Sequence, residues 1–107
     1  MKRINTKEFV EYLEANNIKV YKYKGGYYKA FFGKAYITFD TTPTIGNILI
    51  NGRFPDFSIL KAIVERFLEE KKLPIYYDKS HGIISITPFK TYTEEEVLKC
   101  FEEVFGY

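Results

Sequence analysis

A single His, a single Cys and no Trp stand among the 107 residues, so few side chains are able to do covalent or metal chemistry. His81 falls in Lys79-Ser80-His81-Gly82, between two strand-like runs, with no second His and no Cys near it. A solvated turn residue is the expected reading. Cys100 lies between Val97 and Phe101, flanked by Glu96, Glu102 and Glu103. A nucleophilic thiol needs a base and an electropositive setting, so Cys100 is expected to be a semi-buried structural residue. One Cys excludes an internal disulfide, and one Cys with one His excludes a Cys/His zinc site within one chain. The order Glu69-Glu70-Lys71 after Pro55-Asp56 would suit a divalent metal only on a strand. Here both glutamates end a helix and Asp56 reads as its N-cap. Asp40, Asp56 and Asp78 each close a strand or open a helix, where Asp is common. Thr41-Thr42-Pro43-Thr44 is rich in hydroxyls but lacks the glycines of a phosphate cradle. No catalytic residue, metal site or cofactor is assigned, and an enzyme ranks third behind two kinds of binding.

The chemistry that remains is non-covalent, and it lies in the rings. Ten Tyr and ten Phe make up 19% of the chain, more than a core of this size needs, so some are expected at the surface. The net charge of +2 conceals an uneven distribution. Between Glu14 and Asp40 there is no acid, yet Lys19, Lys22, Lys24, Lys29 and Lys34 all fall there. That stretch carries +5 and leaves −3 for the rest, with acids concentrated in Glu94-Glu95-Glu96 and Glu102-Glu103. Such a charge dipole orients a charged partner. The glutamates near the C-terminal end could imitate a phosphate backbone, but a solvated helix face is the plainer reading.

Positioning those rings falls to a single domain spanning 1–107, which is long enough to fold without staples. No linker divides it and no apolar run approaches membrane-spanning length. The first residues lack the apolar stretch of a signal peptide. A reduced, cytoplasmic protein is expected. Gln is absent while Lys and Glu abound, which fits a hot-environment proteome and equally fits AT-rich coding bias.

Three helices are predicted. The first covers about Thr6 to Asn16, with Asn5 as cap, Glu8 completing a capping box and Ile4 stapled to Phe9; Phe9, Val10 and Leu13 form its stripe. The second runs from about Phe57 to Lys72, with Ile59, Leu60, Ile63, Val64, Phe67 and Leu68 at helical spacing. The third covers about Glu94 to Phe105, capped by Thr93 and ended by Gly106. Strands are predicted at 18–24, 27–32, 35–40, 45–50, 73–78 and 83–87. Gly25-Gly26, Gly33-Lys34 and Asn51-Gly52 supply the chemistry of tight turns. The order α-βββ-β-α-ββ-α predicts an α+β fold in which three helices cover one face of a mainly antiparallel sheet. An internal helix-hairpin pseudo-repeat at an offset of 55 is also suggested. Tyr12-Leu13-Glu14 matches Phe67-Leu68-Glu69, and Asn17-Ile18 matches Lys72-Leu73.

Strand alternation divides the rings between two faces. A two-residue Gly33-Lys34 turn pairs Phe32 with Ala35, Ala30 with Ile37 and Tyr28 with Phe39 on an uncharged core face. The opposite face carries Phe31 beside Tyr36, Lys29 beside Thr38 and Tyr27 beside Asp40, and is expected to be wet. The first hairpin admits two registers. A two-residue loop puts Tyr21 and Tyr23 inside, whereas a three-residue loop with a bulge puts them outside, the option that the inner face of the final hairpin favours. The final hairpin should place Leu73, Ile75, Tyr77, Ile84 and Ile86 inside.

Flat rings stack on unpaired bases while lysines neutralise phosphates. The leading specific expectation is therefore non-catalytic binding of single-stranded RNA or DNA. Tyr27, Phe31 and Tyr36 would stack, and Lys22, Lys24, Lys29 and Lys34 would meet the backbone. No ribonucleoprotein-type aromatic signature accompanies the patch. The alternative is a protein interface or homodimer using the same face, as in a small inhibitor or adaptor of a virus or plasmid.

Overall fold

The computed structural model describes residues 3–78 and 83–85, together with Glu95 and Lys99. Its elements are β1 (Ile4–Asn5), α1 (Thr6–Ala15), β2 (Val20–Tyr23), β3 (Tyr27–Phe32), β4 (Ala35–Asp40), β5 (Thr44–Ile45), β6 (Asn47–Gly52), α2 (Asp56–Glu70), β7 (Tyr76–Asp78) and β8 (Ile83–Ser85). The fold is α+β with antiparallel sheets. Six strands are ordered β2-β3-β4-β6-β8-β7, and β1 pairs separately with β5. Two helices are described, not three. The predicted helix at 94–105 lies outside the described residues apart from Glu95 and Lys99, both helical and exposed.

The central hairpin follows directly from its alternation. Phe32 pairs with Ala35, Ala30 with Ile37, and Tyr28 with Phe39. Next, Ile37 pairs with Ile50 across β4 and β6. Ala30, Ala35, Ile37, Phe39, Ile48 and Ile50 are buried on this inner face, in one cluster with Phe9 and Leu13 of α1 and with Phe57, Leu60, Val64, Phe67 and Leu68 of α2. Leu73, Ile75 and Tyr77 pack partly against the same core. Phe9 is its hub, with its ring 4.9 Å from Phe39 and 5.1 Å from Phe67. Tyr12 ties the helices together: its ring lies 5.0 Å from Phe67 and its hydroxyl donates to the Ile63 carbonyl at 2.7 Å. Burial raises the Tyr12 phenol above its usual value, against a lowering by Arg66, so it remains a neutral donor.

α1 starts on the expected Asn5 cap, whose side chain accepts from the Glu8 N–H at 3.0 Å. The Glu8 carboxylate reaches Lys71 at 3.0 Å, joining the start of α1 to the end of α2. Both helices stop alike. Asn17 and Lys72 are left-handed, and the next residues, Ile18 and Leu73, donate back to Leu13 and Leu68. These positions are 55 apart, as the suggested pseudo-repeat requires. The same helix stop recurs in unrelated proteins, so it does not establish a duplication.

Four expectations are corrected. The strand predicted at 45–50 splits at Gly46 into β5 and β6, and β5 finds Ile4–Asn5 as its partner. Asn51-Gly52 is not a turn but the paired end of β6, opposite Tyr36 and Ala35. Gly52 has φ +135°, and a Cβ there would overlap the Ala35 backbone, which is why the position takes glycine. Asp56 does not cap α2. It is the first helical residue, and its carboxylate accepts the Lys34 N–H at 2.8 Å, anchoring the β3–β4 turn to the helix. Asp56→Ala is expected to lower stability by about 1–2 kcal/mol, read as a shifted denaturant midpoint; an unchanged midpoint would show that the turn holds itself. Finally, Ile59, read as part of the buried stripe of α2, is 44% exposed and Lys61 is buried, while Leu60, Ile63, Val64, Phe67 and Leu68 are buried as read.

Among the described residues no helix is long and apolar enough to cross a membrane.

Candidate functional site

The outer face of the sheet is built from β2, β3, β4 and β6, whose alternate residues turn away from the helices. The register of β2 against β3 pairs Tyr23 with Tyr27, Tyr21 with Lys29, Lys22 with Tyr28 and Val20 with Ala30. The loop thus has three residues. Gly26 at φ +83° donates its N–H to the Tyr23 carbonyl, the geometry of a turn closed by a glycine bulge. Of the two registers, this one places Tyr21 and Tyr23 outside. Cross-strand pairing then sets out a grid. Tyr23, Tyr27 and Asp40 form one row; Tyr21, Lys29, Thr38 and Leu49 the next; Phe31, Tyr36 and Asn51 the third.

Five rings share this surface. Phe31 is 45% exposed, Tyr21 42% and Tyr23 39%, while Tyr27 and Tyr36 are half-buried. The half-buried rings support the exposed ones. Tyr27 stacks on Tyr23 at 5.1 Å and 6°, and Tyr36 leans on Phe31 at 5.8 Å. Tyr21 meets Phe31 edge-on at 6.1 Å. Lys29 lies in the middle, its Nζ 4.5 Å from the Tyr36 centroid, 5.9 Å from Phe31 and 6.0 Å from Tyr23. Lys19 holds its Nζ 5.2 Å from Tyr21. The site therefore offers apolar platforms with a cation among them, held by a rigid sheet.

Of the residues singled out from sequence, Tyr27, Phe31, Tyr36 and Lys29 come together on this face. Lys24 and Lys34 are exposed in the turns at either end of β3. Lys22 does not join them. It pairs with Tyr28, so it stands on the opposite side of the sheet, where its position at an edge keeps it exposed. Tyr21 and Tyr23, the most accessible tyrosines here, were left open by the sequence because Gly25-Gly26 permits either loop length. The glycine-bulge turn was the signal that could have selected them.

His81 and Cys100 lie outside the described residues. Among those described, no three His, Cys, Asp or Glu side chains converge as metal ligands. The threonines of the β4–β5 connection are engaged by the fold: Thr41 Oγ1 donates to the Gly26 carbonyl, Thr42 Oγ1 to the Thr44 carbonyl, and Thr6 Oγ1 to the Thr42 carbonyl. A cleft of about 510 Å³ lies beside them, lined by Lys7, Glu11, Glu14 and Tyr28 among others. It holds mixed charge and neither a His nor a Cys. In comparisons with protein families, curated proteins and solved structures, nothing matches this chain.

Proposed function

We propose that this protein binds single-stranded nucleic acid on the outer face of its sheet, without catalysis. The observation that carries this reading is the exposure of Phe31, Tyr21 and Tyr23 around Lys29. Exposed rings offer π-faces to unpaired bases, and a neighbouring ammonium suits the phosphates that link them. A duplex hides its base faces, so a stacking surface selects single strands.

A protein partner on the same face is the second reading, and the exposed apolar Phe31 is what favours it.

Fluorescence anisotropy with labelled single-stranded RNA and DNA tests the proposal. Binding should appear at micromolar protein and weaken steeply with salt. Phe31→Ala and Tyr21→Ala should each reduce binding by about 1–3 kcal/mol. No binding at low salt, with light scattering showing a stable dimer, would give the face to a second copy instead.

A further inference from the structure

The charges on the outer face and in the turns beside it are not spread evenly, and their placement gives a direction. Lys24, Lys29 and Lys34 recur every five residues: one in the β2–β3 turn, one in the middle of β3, one in the β3–β4 turn. The six residues of β3 separate the two turns by roughly 20 Å. Between the lysines lie the rings. Tyr23 and Tyr27 stand between Lys24 and Lys29, and Phe31 with Tyr36 stands between Lys29 and Lys34. Arg53 donates its N–H to the Lys34 carbonyl and brings a further exposed cation to that end. Across the strands Lys19 stands at the β2 edge beside Tyr21, and on the other side the pattern is different. Beyond β3 the same face continues through Thr38, Leu49 and Asn51, which are neutral, and through the acid Asp40 opposite Tyr27.

Resting on the single-strand reading above, we infer that the ligand lies along β3, from one hairpin turn to the other, and does not cross the sheet. Lys24, Lys29 and Lys34 each meet a phosphate. One set of bases stacks on the Tyr23–Tyr27 pair and another on Phe31 and Tyr21. Asp40 repels the backbone from the β4 side at the Tyr27 end and keeps the strand over β2 and β3. Lys29 leaves the Tyr36 ring for a phosphate when the ligand arrives.

Salt dependence counts these contacts. Each phosphate neutralised on a single strand adds about −0.7 to the slope of log K against log salt. Three contacts predict a slope of about −2 for a short homopolymeric oligonucleotide. Lys24→Gln, Lys29→Gln and Lys34→Gln should each make the slope shallower by about 0.7. Lys22→Gln, on the other side of the sheet, should leave slope and affinity unchanged, and Phe31→Ala should lower affinity at an unchanged slope. Because Lys24 and Lys34 lie in exposed turns, their variants report on the path even if Lys29→Gln disturbs ring packing. A slope that Lys24→Gln and Lys34→Gln leave intact, or that Lys22→Gln makes shallower, overturns the path along β3 while the nucleic-acid reading stands. Absence of binding by every variant and by the parent protein overturns both.

Discussion

Glu65→Ala is expected to cost about 3 kcal/mol of stability, a fall in Tm of roughly 10–25 °C for a domain of this size. The reason is a charged cluster inside the fold. Lys61 is only 3% exposed, and its Nζ lies 3.1 Å from Glu65 Oε1. The other carboxylate oxygen accepts the Tyr77 hydroxyl, and the Lys61 ammonium sits 5.0 Å from the centre of the Tyr77 ring. One carboxylate thus serves an ammonium and a phenol, joining α2 to the edge strand β7. Alanine takes that carboxylate away from a buried charge and from a part-buried hydroxyl together. Removing one partner of a buried pair costs about 3–5 kcal/mol, far more than the intact pair contributes. The Glu65 side chain keeps 18% of its exposure, so water enters and the lower end of that range applies. Replacing these three polar groups together, as Lys61→Met with Glu65→Leu and Tyr77→Phe, should recover most of the loss. Urea unfolding of both proteins decides the matter. A Glu65→Ala midpoint within about 1 kcal/mol of the parent would mean the cluster is effectively solvated.

This cluster also marks a limit of reading the chain by pattern. Glu65 four residues after Lys61 looks like an ordinary exposed helix pair, and nothing in the spacing announces Tyr77 as a third member. Ile59 looked buried for the same reason, because helical periodicity gives a stripe and not its width. What was legible was strictly local. Gly33-Lys34 between two alternating runs set the β3–β4 register residue by residue. The face holding Tyr27, Lys29, Phe31 and Tyr36 follows from that turn alone. The β2 register was not legible, since Val20 with Lys22 and Tyr21 with Tyr23 are both tolerable inward sets on an edge strand, where a lysine can face the core side and still reach water. The β1–β5 pair was hidden by its length: two residues cannot display alternation. Of the residues singled out, Tyr27, Lys29, Phe31 and Tyr36 therefore share one face, which Tyr21 and Tyr23 join and from which Lys22 is turned away.

The same residue type should give opposite results at Phe9 and Phe31. Phe9 is fully buried, with edge and tilted contacts to Phe39 of β4 and Phe67 of α2, so it holds both helices and the sheet in one cluster. Phe9→Ala removes those contacts and leaves a cavity at their junction, at an expected cost of about 3–5 kcal/mol. Domains of this kind have only about 5–15 kcal/mol in total, so the loss takes at least about a fifth of that reserve. Phe31 is 45% exposed, and its contacts among the described residues are with Tyr21, Tyr36 and Lys29 of its own face. Phe31→Ala should change stability by about 1 kcal/mol or less, yet weaken nucleic-acid binding by about 1–3 kcal/mol. Denaturant unfolding with anisotropy, run at a temperature where Phe9→Ala is still folded, separates the two effects. Phe9→Ala should then bind as the parent does. If Phe31→Ala instead loses as much stability as Phe9→Ala, the ring belongs to a covered core, and the aromatic face is not open to any ligand.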